Sequence, residues 1–400
     1  MKNWITLCSV ILILAAIGCA EPILIAPVIT DDRPTQLGQP EYSSALDLFI
    51  KSQRDLGHIA GLQVAVVKNN RLDFLRGYGW YNLLPVVNQV EPDTVWVDAK
   101  QTRFMLAELT YPMITMAALK LKDLGLLDLD ADINTYLPTS VSVLNPAYAT
   151  TPISMRMLLG GTSSLLDNAT VTTITPNPLA DYKTTVEGYV ADAGNYDAAQ
   201  QPGVMPPVPA EQNHGAMAVA AYLIQQISHI SINDFHKAHF YTDFGVYTTS
   251  WYLDEIPDSI VSRHYKNDLA TMTYYSPASP YQYNMYAPYT MRSGAELLGR
   301  YLIPILNDGR FKNLRIFDSL TMLDMNSLQY PMASISQVMG WSKKTVNGRN
   351  LIGIDGSDVG VTNRMYYDEA TKIGVIILSN SDNCDVEIDA ILDKAFELSE

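Results

Sequence analysis

Strand-like runs occupy the two ends of this chain and helix-like runs fill its middle. That distribution constrains the fold more than any other feature. Leu62-Gln-Val-Ala-Val-Val-Lys68, a turn at Asn69-Asn70 and a run from Leu72 to Tyr78 read as a β-hairpin. Far along the chain, Asn350–Ile354, Val361–Tyr367 and Ile373–Ser379 read as three more strands. Between them lie helix-like segments: Pro112–Leu124, ended by Gly125; the alanine-rich Gly215–Ile227; and Met291–Leu306, stopped by Asn307-Asp308-Gly309. Tyr42–Leu56 and Val386–Leu398 read as amphipathic helices flanking the whole. A sheet assembled from both chain ends makes residues 42–400 one α/β domain with a helical insertion. Residues 165–212 and 262–290, rich in Pro, Thr, Asn and Tyr, read as loops that form a cleft rim.

Composition excludes several functions. Hydrophobic residues are 48% and charged residues 17%, which describes an ordered globular chain rather than a disordered one. The net charge of −15 repels polyanions, so no nucleic-acid partner is expected. Three cysteines supply neither a disulfide framework nor a zinc cluster. No Gly-rich phosphate loop is present, and no cofactor is expected. The methionines and the Ala216–Ala221 run read as core packing. His229, His236 and His239 lack a ligand spacing and read as surface or cap residues.

The N-terminus reads as an export signal. Lys2 precedes an apolar run from Ile5 to Ile17, too short for an easy membrane span, that ends in Ala16-Ile17-Gly18-Cys19. Small residues before a cysteine resemble the lipobox of bacterial lipoproteins. That resemblance implies cleavage after residue 18, lipid on Cys19, and a mature chain near −16, since only Lys2 of the charged residues is lost. Residues 19–41, with four prolines after Cys19, read as an extended tether. The expected location is the bacterial cell envelope, with the lipid on Cys19 as the link to the membrane.

Phe104-Met-Leu-Ala-Glu-Leu-Thr-Tyr111, the helix after it, Gly125-Leu-Leu-Asp-Leu-Asp130 and Tyr136-Leu-Pro138 together resemble the serine β-lactamase-like family, in its class C, penicillin-binding protein and esterase branch. Ile153–Leu159, Phe244-Gly245 with Thr248-Thr-Ser250, and Gly353–Gly360 followed by Tyr367-Asp368 and Gly374–Asn380 continue the likeness. The resemblance covers about residues 42–398. It implies the β-lactamase/transpeptidase-like fold, an antiparallel sheet flanked by helices, and acyl transfer through a serine.

The family's catalytic residues are missing at the matching positions. Its Ser-x-x-Lys, in which lysine activates the serine at a helix start, falls on Glu108 and Tyr111. No Ser-x-x-Lys occurs anywhere in the chain. The Tyr-x-Asn relay falls on Glu211-Gln212-Asn213, keeping only Asn213. The Lys-Thr-Gly or His-x-Gly strand motif falls on Ile354-Asp355-Gly356, keeping only Gly356. Glutamate cannot act as a serine-like acyl acceptor without forming an anhydride, and tyrosine carries no positive charge. The expectation is a catalytically degenerate lipoprotein that binds a small-molecule, peptide or glycan ligand in the old active-site cleft.

Two alternatives stand beside it. One is an active esterase or peptidase of the same family using another nucleophile. The other rests on the resemblance bringing Glu108, Glu211 and Asp355 into one cleft, near His214 and Asp358. Such carboxylates repel unless one is protonated or a hard cation lies between them, so metal binding or acid–base hydrolysis would follow. Tyr274, Tyr275, Tyr281, Tyr283, Tyr286 and Tyr289 read either as a stacking surface for a ligand or as a packed rim.

Overall fold

The computed structural model describes residues 40–82, 95–175, 178–204, 213–271, 273–329 and 336–400. The signal segment, Cys19, most of the tether and Glu211 lie outside the described residues.

Eight strands form one antiparallel sheet. They are β1 (Gly61–Lys68), β2 (Arg71–Asn82), β3 (Val95–Trp96), β4 (Gln337–Val338), β5 (Trp341–Val346), β6 (Arg349–Asp358), β7 (Val361–Asp368) and β8 (Ile373–Ser379), in the spatial order β4-β5-β6-β7-β8-β1-β2-β3. The seam between the chain ends is the β1–β8 pair, with Val64 opposite Ile377 and Val66 opposite Val375. Helices are α1 (Pro40–Leu56), α2 (Tyr111–Asp123), α3 (Pro178–Ala191), α4 (His214–Ser228), α5 (Ala295–Leu306) and α6 (Asp385–Ser399).

Alternation along the central strands feeds two cores. Val64, Val66, Val375 and Ile377 face α1 and α6, where Leu46, Ile50, Ile388 and Phe396 complete one cluster. Ala65, Val67, Ile376 and Leu378 face the other way and join α2, α4 and α5 in the larger cluster. The helical insertion therefore lies on one face of the sheet and the terminal helices on the other. Among the described residues no single helix is long and apolar enough to cross a membrane.

The structure corrects several boundaries. The stretch 165–212 contains α3, whose Thr-Thr pair and Gly188 give it weak intrinsic helicity. Tyr182, Val186, Tyr189 and Val190 lie four, seven and eight residues on from the first, are all buried, and hold it against α4. The stretch 262–290 contains a hairpin, His264–Asp268 paired with Thr273–Ala278. The helix expected from Met291 begins at Ala295, because Arg292–Ser293 pairs as a strand with Phe104–Met105. Strand β6 extends to Asp358, past the expected end at Ile354. His236 is a core residue rather than a surface or cap residue: it is fully buried, bonded to Tyr301 Oη and to the Met113 carbonyl.

Candidate functional site

The site forms where the start of α2 meets the edge of the sheet. Strand Phe104–Met105 runs into a single 3-10 turn, Ala107–Thr110, and then into α2. Ala107 carries the corner in a left-handed conformation, φ +50°, an uncommon and mildly strained state for a residue with a Cβ. The turn projects Glu108 into a cleft of about 560 Å³ that Tyr111, His214, Ile354 and Asp355 also line.

Strand β6 supplies the opposite wall. The pairing of β5 with β6 ends at Ser342–Gly353, so the amides of β6 beyond that point are not taken up by β5. One of them, Ser357 N–H, donates to Glu108 Oε2 at 2.8 Å. Gly356 makes this approach possible: a Cβ there would lie 2.8 Å from Leu109 Cδ1 and 2.9 Å from the Leu106 carbonyl oxygen. Asn363 reinforces the junction by donating to the Met105 and Leu106 carbonyls.

His214 is the first residue of α4, seated between aromatic rings. Its ring centroid is 4.3 Å from that of Tyr289 and 5.7 Å from that of Tyr111. The Tyr111 hydroxyl hydrogen-bonds to Nδ1. Donation by the hydroxyl leaves the imidazole proton on Nε2, which faces Glu108 at 3.7 Å and Asp167 at 3.8 Å. Burial lowers the pKa of His214 and outweighs the opposing pull of Asp167. Asp167 also accepts from the His214 and Gly215 amides, capping α4. Nothing in the sequence marked Asp167: it lies in a loop, 47 residues before the histidine it faces, outside any motif.

The motif-equivalent positions divide. Glu108, Tyr111 and His214 meet. Asn213 serves as the N-cap of α4, its Oδ1 accepting from Ala216 N–H at 2.8 Å and its Nδ2 donating to the Leu165 carbonyl at 2.6 Å. Asp355 turns toward α6, because adjacent strand residues face opposite ways and Gly356 faces the corner. There it meets Arg364 at 3.0 Å, Lys344 at 3.7 Å and the Tyr366 hydroxyl at 2.7 Å. Arg364 also joins Asp385 and Asp389 of α6. Of the three carboxylates expected to meet, only Glu108 and Asp355 lie among the described residues. The Asp355 charge is matched by cations, Glu211 lies outside the described residues, and no group of three His, Cys, Asp or Glu among the described residues is placed to hold a metal ion.

The tyrosine-rich segment is mainly a packed rim. Tyr286 is fully buried against Tyr182 and Tyr252. Tyr283 donates toward both oxygens of Asp358 at 3.1 Å, and burial raises the pKa of that carboxyl. The side chains of Tyr274 and Tyr275 lie outside the described residues.

Comparison with known proteins follows this geometry. No curated protein matches the sequence. Among solved structures, the chain resembles an octameric penicillin-binding protein homologue from Pyrococcus abyssi, with 19% identity and a TM-score of 0.69 over 89% of this chain and 77% of that one. It also resembles the D-amino acid amidase of Ochrobactrum anthropi SV3, with 17% identity and a TM-score of 0.70 over 90% and 99%. FmtA from Staphylococcus aureus shares 16% identity and a TM-score of 0.67 over 92% and 91%. At these identities the likeness establishes the fold. The Beta-lactamase family model matches residues 46–396, nearly the whole described domain, so this chain belongs to the Beta-lactamase family.

Proposed function

We propose that this chain is a non-acylating member of its family that holds a small-molecule, peptide or glycan ligand in the cleft beside Glu108, and that lipid on Cys19 anchors it in the bacterial cell envelope. One observation carries the first part. At the corner where the family places its serine, the Glu108 carboxylate is hydrogen-bonded to Ser357 N–H and fills the gap between α2 and β6. Acyl transfer needs a nucleophile there and a donor free for the developing oxyanion. Here one position carries a carboxylate and the donor is occupied by it. Ser336, Ser342 and Ser357 line the cleft, and the residues three positions on are Met339, Thr345 and Gly360, so no lysine is positioned as in the family motif.

A second reading has one observation in its favour. The Tyr111 hydroxyl bonds to His214, a base able to accept its proton, as a phenolic nucleophile would require. A single experiment separates the two: intact-mass analysis after incubation with a fluorophosphonate. The expected result is no adduct. A stoichiometric adduct on one serine or on Tyr111 overturns the non-acylating reading.

A further inference from the structure

The cleft is lined by charges of both signs. Lys344, Asp355, Arg364 and Asp385 form one ion-pair network, and one acidic and one basic side chain of the lining lie outside it. The acidic one is Glu108. It faces His214 Nε2 at 3.7 Å, burial lowers the pKa of that imidazole, and Asp167 stands beside the same ring. The basic one is Lys343 on β5, which lines the same cleft.

Strand register places Lys343 on the face that matters. It lies opposite Ile352, and Ile352 belongs to the larger core on the α2 side of the sheet. Its strand neighbour Trp341, two residues away and on the same face, belongs to that core as well. Lys344 points the other way and pairs with Asp355. Ile354, where the family motif would carry its cation, is diagonal to Lys343 on this face, a spacing of about 7–8 Å in a sheet. The positive charge absent from position 354 is thus present one strand over. Among the described residues the Lys343 ammonium has no hydrogen bond or ion pair, although the residue is half-buried. Ile354 adds an apolar side chain to the same lining.

We infer that Glu108 and Lys343 are the two poles of a receptor for a zwitterion, with the ligand's ammonium group against Glu108 and its carboxylate against Lys343. The chemical class is a free amino acid or a short peptide with both termini unblocked. A cleft of about 560 Å³ lies within the usual range for small-ligand sites. This inference rests on the ligand-binding reading above and adds the ligand's charge pattern to it.

The test is calorimetric titration of the full-length protein in a nonionic detergent. The probes are alanyl-phenylalanine in both chiral series, its N-acetyl derivative, its C-terminal amide and the doubly blocked compound. The zwitterionic probe of at least one series binds, and blocking either end weakens binding about tenfold, the scale of one charge-assisted contact. Lys343→Ala abolishes the preference for a free carboxylate while keeping the preference for a free amine. Glu108→Gln does the reverse. Equal affinity for blocked and unblocked probes, or no binding of any, overturns the inference. Cleavage of the C-terminal amide, followed by mass spectrometry in the same samples, would instead overturn the non-acylating reading, so the two failures are distinguishable.

Discussion

Gly356→Ala is the sharpest test of how the corner is held. The glycine lies within an ordinary extended strand, so the added methyl meets no backbone-angle penalty and acts only through space. Its Cβ would fall 2.8 Å from Leu109 Cδ1 and 2.9 Å from the Leu106 carbonyl oxygen. Neither neighbour can yield easily. Leu109 is fully buried, and the Leu106 carbonyl already accepts from Leu109 N–H and Asn363 Nδ2. The corner and β6 must therefore separate by about half an ångström, an overpacking that typically costs about 1–3 kcal/mol. The separation also stretches the Glu108–Ser357 bond. A hydrogen bond to a charged group contributes about 1.5–3 kcal/mol, and only part of that is lost where the side chain is 20% exposed and water can substitute. Together the expected loss is about 2–4 kcal/mol, read as a lower urea midpoint at constant slope, with faster amide exchange in a peptide spanning Ile354 to Gly360. A double-mutant cycle with Glu108→Ala sharpens the result. If the methyl acts partly through the carboxylate bond, the double variant is less destabilised than the sum of the singles by about 1 kcal/mol. Stability within about 0.5 kcal/mol of the parent, or strict additivity, refutes this account of the corner.

Two further outcomes follow from other parts of the molecule. Burial lowers the pKa of His214 and holds His236 and His264 at about 3, while an unfolded imidazole takes its proton near 6.5. The unfolded chain then binds more protons below about pH 6.5. For His236 and His264 the contribution to stability is complete above that pH and falls on acidification toward 3, by about 1.4 kcal/mol per pH unit for each; urea midpoints that stay flat from pH 7 to 5 would contradict this. For the proposed anchor, the parent protein expressed in a bacterium should sediment with membranes and incorporate labelled palmitate, whereas Cys19→Ser should do neither; an unlabelled, soluble parent would remove the lipid from the description.

The readable parts of this sequence were those where one local rule acts alone. The β1–β2 hairpin and strands β7 and β8 carry long buried runs because both faces of the central sheet are covered, and each was placed close to its observed span, whereas β6 was placed four residues short at its polar, half-exposed end. Strand β5, Trp-Ser-Lys-Lys-Thr-Val, was invisible because it lies near the sheet edge with only Trp341 deeply buried. Helix α3 was hidden by poor helix formers whose burial against α4 decides the matter. In the site, the spacing from Phe104 to Gly125 singled out Glu108 and Tyr111, which lie in the turn before α2 and at its first residue. Side-chain direction was the part that motif matching could not supply. Asp355 matched a motif position, yet strand alternation turns it toward Arg364 and α6. Asp167 and Lys343 matched no motif and still reach the site, one through a loop and one through cross-strand register.

The same contrast separates the residues that hold the corner from those that face the cleft. Gly356 and Asn363 are constrained by packing: one leaves room for the Leu106 carbonyl, the other ties the corner to β7. These requirements hold whether or not the cleft turns over a substrate. Positions 108, 111 and 354 are constrained chiefly by what the cleft must do. At 108 the carboxylate supplies its own reason to stay, since it satisfies a sheet-edge amide that would otherwise depend on solvent or ligand. At 111 the phenol satisfies His214. At 354 an isoleucine packs against the core. Each of these three side chains thus makes a contact suited to its own surroundings. Glu108→Ser alone would remove the carboxylate from Ser357 N–H but leave Tyr111 and Ile354 in place. The geometry then expects a more open cleft with no gain in acylation, since no cation would stand next to the new hydroxyl at position 111.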